Sequence, residues 1–134
     1  AALARREHSR RELERKLTAR GHDAATVGAA LDTLAEQRLQ DDGRFVEVFM
    51  RSRISRGQGP VRIAQELRQR GIADDDVRAA LAAAEVDWDE LARSVLGRQF
   101  RQGAADMKTR ARQMRFLEYR GFTSAQIRAA VKAG

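Results

Sequence analysis

The chain has 134 residues, 43% of them apolar and 5% aromatic, with no cysteine, and its 26 Lys and Arg against 19 Asp and Glu give a net charge of +7. That length suits one ordinary domain or a short solenoid and excludes an elaborate multidomain enzyme. The lack of cysteine excludes a disulfide framework, Cys-ligated zinc and a thiol nucleophile, and it fits a reducing, cytoplasmic setting.

Alanine, leucine, arginine and glutamate dominate, and there is a single proline. All four residues favour helix, so the fold is expected to be all-α. No apolar run approaches the roughly 20 residues needed to cross a bilayer, and no signal peptide is visible. The chain opens at Ala1 without a methionine, inside a segment that already reads as helical, so residues upstream are expected.

Leu3 to Arg6 read as the end of a first helix. Ser9-Arg10-Arg11-Glu12 is a capping box, and the helix it starts runs to Arg20 with Leu13 and Leu17 inward and Glu12 to Lys16 as an i,i+4 pair. Arg20-Gly21 closes it: a cation at the negative end of the dipole, then a glycine free to adopt the left-handed conformation. Asp23 caps the next helix, whose Val27, Ala30, Leu31 and Leu34 follow the spacing of a buried face and which is expected to end near Leu39.

Asp41-Asp42 opens a helix carrying Phe45, Val46, Phe49 and Met50, with Arg51, Arg53 and Arg56 crowding its last turns. Gly59-Pro60 is a helix entry, since proline's fixed φ suits the first helical position. Ile63 and Leu67 mark the inward stripe of that helix, and Arg70-Gly71-Ile72 is a Schellman-type stop. Asp74-Asp75-Asp76 reads as the cap of a helix with Val77, Ala80, Leu81 and Ala84 inward, since a metal-binding use of the acids finds no partners.

Glu85 to Asp89 is a junction in which Trp88 is expected to be core between units, followed by a helix with Leu91, Val95, Leu96 and Phe100, and by a loop at Gln102 to Ala105. Asp106 caps a helix whose Met107, Ala111, Met114 and Leu117 are expected inward. Thr123-Ser124-Ala125-Gln126 is a second capping box, and its helix runs to Gly134.

The Arg-Gly stop occurs at Gly21, Gly71 and Gly121, 50 residues apart each time, with Leu17, Leu67 and Leu117 in one shared position and Val27, Val77 and Ile127 in another. A fixed period of this length indicates a helical repeat array in which each unit buries its apolar face against its neighbours. The expected architecture is three tandem three-helix repeats forming an elongated helical array, at residues 1–40, 41–87 and 88–134.

Charge is unevenly spread. The segments 1–40, 41–90 and 91–134 carry +2, −3 and +8, the last with 10 basic groups against 2 acidic. Such a field attracts polyanions. Lys108, Arg112 and Arg115 fall on one helix face, Tyr119 prolongs the row with an aromatic, and Arg110 and Arg120 flank it. Arg93, Arg98 and Arg101 are further candidates, and Arg56, Arg62 and Arg68 extend the patch if the repeats curve one way. His8 and His22, the two histidines, share no face with acids, so no metal and no general base is expected; a search for a nucleophile–base pair or a phosphate-cradling glycine loop also finds none.

The runs Ala4 to Leu13, Asp41 to Phe45, Arg56 to Ile63 and Arg115 to Phe122 resemble the bacterial RecX family, and the resemblance spans almost the whole chain. It implies three-helix repeats and a non-enzymatic, cofactor-free regulator of the recombinase RecA. Such a protein lies along the helical groove of the filament that RecA forms on DNA and damps strand exchange, ATPase and co-protease activities. The family supplies no catalytic residues. Two departures from the pattern concern packing: His22 stands where the other repeats have an apolar residue, and Gln113 where they have Leu13 and Ile63.

The expected partners are therefore the RecA filament and single-stranded DNA, bound directly or through RecA, with no membrane, and the chain acts as a monomer or a repeat-swapped homodimer. Two other readings compete: a general single-stranded DNA-binding module that meets RecA only by competition, and a structural scaffold with a solvated basic end.

Overall fold

In the computed structural model, residues 8–36, 41–101 and 106–133 are described, and every regular element among them is an α-helix. The order is α1 (Arg10–Ala19), α2 (Ala24–Glu36), α3 (Asp42–Ser55), α4 (Pro60–Gln69), α5 (Asp74–Ala83), α6 (Trp88–Gln99), α7 (Met107–Tyr119) and α8 (Ser124–Ala133). The expected helix end at Leu3 to Arg6, the end of α2 at Leu39, the loop at Gln102 to Ala105 and the terminal Gly134 lie outside the described residues.

Local chemistry sets these ends. The Ser9 hydroxyl accepts from the Glu12 amide at 3.1 Å while the Glu12 carboxylate accepts from the Ser9 amide at 3.2 Å, which satisfies two donors that the helix itself leaves unpaired. Thr123 and Gln126 repeat this arrangement ahead of α8. Asp23, Asp41, Asp87 and Asp106 each accept from the amide three residues on. At the other ends His22, Ile72 and Phe122 donate their amides to the carbonyls of Leu17, Leu67 and Leu117, across glycines with φ of 92°, 88° and 93°. A fourth stop of the same kind closes α3, where Gly57 has φ 77° and the Gln58 amide bonds the Arg53 carbonyl.

Three separate apolar clusters form the interior. Leu13, Val27 and Leu31 serve the first repeat, with Leu17 and Leu34 partly buried beside them. Phe45, Val46, Phe49, Met50, Ile63, Leu67, Ile72 and Val77 serve the second, and Val95, Leu96, Leu117, Phe122, Ile127 and Val131 the third. Trp88, the first residue of α6, packs against the second cluster, so it bridges two repeats as its position between them suggests.

Several expectations are corrected. The N-cap of α5 is Ala73, and the three acids occupy its first turn, where they face the positive end of the dipole. Ala30 is exposed. On α7 Leu117 is buried as expected, but the residue buried with it is Gln113, only 3% exposed, whereas Met107 is 87% and Met114 39% exposed. Register decides this: Gln113 stands 50 residues from Ile63 and 100 from Leu13, both buried, so the repeat geometry overrides side-chain polarity. Glu12 reaches out of its own helix to Arg70 in the second repeat at 3.0 Å, and the Lys16 ammonium lies 2.9 Å from Nε2 of the buried His8.

The repeats are joined by their Arg-Gly turns. The turn ending α4 docks on the start of α1, where Ser9 Oγ donates to the Arg70 carbonyl at 2.7 Å and the Arg10 amide donates to Asp42 at 2.8 Å. The turn ending α7 docks on the start of α4 in the same way: the Gly59 amide bonds the Arg120 carbonyl and the Val61 amide bonds the Gly121 carbonyl, both at 2.8 Å. Gly59 has no side chain with which to cap α4, and the Gly121 carbonyl takes over that task.

Candidate polyanion interface

Helix α7 begins at an Asp cap and carries no acid in its first turn. The Thr109 amide donates to Asp106 at 2.7 Å, and that hydrogen bond holds the Asp106 carboxyl below its ordinary range. At 100° per residue, Lys108, Arg112, Arg115 and Tyr119 fall within about 60° of arc. All four are exposed, Tyr119 at 75%. With about 5–6 Å per turn, this row presents cations at a spacing that follows a chain of phosphates or carboxylates.

The second repeat adds to the row. Docking of the α7 turn on α4 brings the Arg62 guanidinium 5.4 Å from the centre of the Tyr119 ring, within the range of a cation–π contact. Arg62 also donates to Glu66 at 3.1 Å, and Glu66 takes a second bond from Arg53 at 2.8 Å. Burial pushes the Glu66 carboxyl up, but the hydrogen bonds and charge of Arg53 and Arg62 outweigh it and hold the group below its ordinary value. The aromatic end of the row is thus fixed from the neighbouring repeat.

The remaining candidates separate into groups. Arg68 is engaged by Asp74, and this hydrogen bond is the main reason that the Asp74 carboxyl sits low. Arg93 is engaged by Glu90 at 2.7 Å, which raises the guanidinium pKa. Neither therefore offers an unpaired charge. Arg110 is exposed but lies about 170° around α7 from the centre of the row, so it faces away from it. Arg101 is exposed just beyond α6.

Arg56 and Arg98 meet elsewhere, around a cleft of about 120 Å³ between the α3–α4 turn, α6 and α7. Their third partner is Arg120, which the sequence marked only as a flanking residue. Its Nη1 donates to the Arg56 carbonyl at 2.9 Å and its guanidinium stands 5.3 Å from the Phe116 ring. The signal for it in the sequence was its place at the Arg-Gly stop, which reads equally well as simple helix termination. Among the described residues no group of three His, Cys, Asp or Glu side chains is placed to hold a metal ion, and no helix is long and apolar enough to cross a membrane.

Comparison with known proteins agrees with the repeat structure. Models of the first, second and third three-helix domains of RecX match residues 2–34, 41–81 and 85–131. Regulatory protein RecX of Halorhodospira halophila is 58% identical over 132 residues, covering 98% of this chain and 82% of that protein. Its counterpart in Chromohalobacter salexigens is 46% identical over 129 residues, covering 96% and 85%. A crystal structure of RecX from Lactobacillus salivarius shares the fold with a TM-score of 0.82 at 20% identity, over 98% of this chain and 88% of that one. A second crystal structure, of regulatory protein RecX, has a TM-score of 0.79 at 25% identity, over 99% and 67%. With all three repeats matched in order and close relatives aligned over nearly its whole length, the chain belongs to the RecX family.

Proposed function

We propose that this protein is a negative regulator of RecA that binds the RecA–single-stranded DNA filament along its groove and damps recombinase, ATPase and co-protease activities. The observation that carries this reading is the exposed row Lys108, Arg112, Arg115 and Tyr119, whose aromatic end is held from the second repeat by the Arg62 guanidinium. An extended repeat surface suits a filament, because many weak contacts spread over adjacent repeats can bridge successive subunits and act together. Regulation here needs no chemistry by the protein itself; occupying the groove is sufficient.

A general single-stranded DNA-binding module is the second reading, favoured by Tyr119, an exposed ring beside cations on which a base can stack. One experiment separates the two. Binding of the wild type and an Arg112→Glu, Arg115→Glu variant is measured on single-stranded DNA, bare and coated with RecA and nucleotide, across a salt series. Tighter binding of the coated strand than of the bare one, weakened in the variant, supports the filament reading. Equal binding to both, with one steep salt slope, supports the general module.

A further inference from the structure

The cleft between Arg56, Arg98 and Arg120 is chemically unlike the row on α7. Its floor is apolar, formed by Val95 and Phe116, and its rim is cationic, with the Gln99 amide beside it. It spans the junction of the second and third repeats. A Cβ added at Gly57 would come within 2.7 Å of Val95 and 3.9 Å of Arg120 Nη1, so the glycine keeps this wall thin. Among the described residues no carboxylate pairs with any of the three arginines, in contrast to Arg53, Arg62, Arg68, Arg70, Arg78 and Arg93.

Helix-end chemistry alone accounts for part of this clustering, because α3, α6 and α7 all end here. Three C-termini contribute roughly −0.5 charge each, and three guanidinium groups leave a surplus of about +1.5. That surplus suits a single negative charge. Arg120 is also pre-organised, tied to the Arg56 carbonyl and stacked on Phe116, so little freedom remains to be lost when its other N–H groups bind an oxyanion. A recess of about 120 Å³ with an apolar floor fits a carboxylate on a short methylene stem. A phosphodiester has no such stem to lay against Val95 and Phe116, and is better served by the open row on α7.

We propose that this cleft receives an acidic side chain, glutamate or aspartate, of a protein partner. This deepens the reading of the chain as a filament-binding regulator, on which it rests: the cleft takes the protein side of the contact and the α7 row takes the nucleic acid. A partner's acid seated here touches both repeats at once and couples binding to their relative orientation.

The test is an NMR titration of the intact chain, following arginine Nε–H signals and the Gly57 amide, with hexaglutamate and with oligothymidylate as probes. Hexaglutamate is expected to shift Arg56, Arg98, Arg120 and Gly57, and oligothymidylate to shift the α7 row. An Arg56→Gln, Arg98→Gln variant, whose replaced side chains are exposed and free of carboxylate partners, is expected to bind hexaglutamate at least about fivefold more weakly with oligothymidylate binding unchanged. Cleft signals that respond only to oligothymidylate, or to neither probe, overturn the proposal, as does unaltered hexaglutamate binding by the variant. The filament reading fails separately, if the Arg112→Glu, Arg115→Glu variant binds the coated strand as the wild type does.

Discussion

Ser9 and Arg70 meet across the first repeat junction, where the Ser9 hydroxyl both caps its own helix and donates to the Arg70 carbonyl at 2.7 Å. Ser9 is fully buried in this arrangement. One side chain therefore serves helix initiation and repeat docking together. Ser9→Ala is expected to lower stability by about 1–2 kcal/mol, from a lost cap and a carbonyl left unpaired. Urea denaturation followed by helical circular dichroism measures it, and a loss near zero would mean that Arg70 docks without this bond.

The glycines of the Arg-Gly turns are equal in φ and unequal in surroundings. Gly21 has open space where a Cβ would go, whereas a Cβ on Gly121 would overlap Arg62 of the neighbouring repeat. Gly21→Ala is expected to cost only the left-handed backbone penalty, about 1–2 kcal/mol, and Gly121→Ala clearly more because the junction must also open. Thermal unfolding of the two variants side by side checks the difference; equal costs would refute docking through Gly121.

Gln113 occupies a position that its repeat equivalents fill with Leu13 and Ile63, and it is buried as they are. Gln113→Leu is expected to raise stability by about 1 kcal/mol, as apolar surface replaces an amide in the interior. A lower urea midpoint in the variant would show that the amide contributes to packing.

Acid sensitivity centres on Glu66, whose carboxyl lies below its ordinary value of 4.5 once Arg53 and Arg62 are in place. A carboxyl with a depressed folded-state pKa contributes stability that is complete above its unfolded value and is lost as pH falls through the folded one. Stability of the wild type should therefore drop as pH falls below about 4.5. Glu66→Gln should flatten that segment of the profile, read as unfolding midpoints from pH 6 to pH 3. An unchanged slope would remove the pair from the account.

Lys108 and Tyr119 share the α7 row but should fail differently in nucleic-acid binding. Lys108→Ala removes one phosphate contact and lowers the salt slope on single-stranded DNA by about 0.7. Tyr119→Ala removes a stacking surface and weakens binding by about 1–3 kcal/mol with the slope unchanged. Salt-series titrations of the two variants distinguish these outcomes, and identical behaviour would show that the row acts as charge alone.

Much of the molecule was legible in its residues because the signals are local. Ser9, Asp23, Asp41, Asp106 and Thr123 announce helix starts within three residues of themselves, and the glycines at 21, 71 and 121 announce ends within five. The 50-residue register then reveals the repeats, and the spacing of Lys108, Arg112, Arg115 and Tyr119 reveals the exposed row. Local preference misled at Met107 and Met114, where apolar character suggested burial, and at Asp74 to Asp76, where acidity suggested a cap.

Helix boundaries, the all-α class and the threefold repeat were thus determined by the sequence itself, since capping, glycine conformation and apolar periodicity all act over a few residues. Tertiary structure alone decided how the repeats join, which arginines are neutralised by acids and which three converge on one cleft. Those outcomes depend on contacts between residues far apart in the chain, such as Gly59 with Arg120 and Arg56 with Arg120, and no short-range preference encodes them.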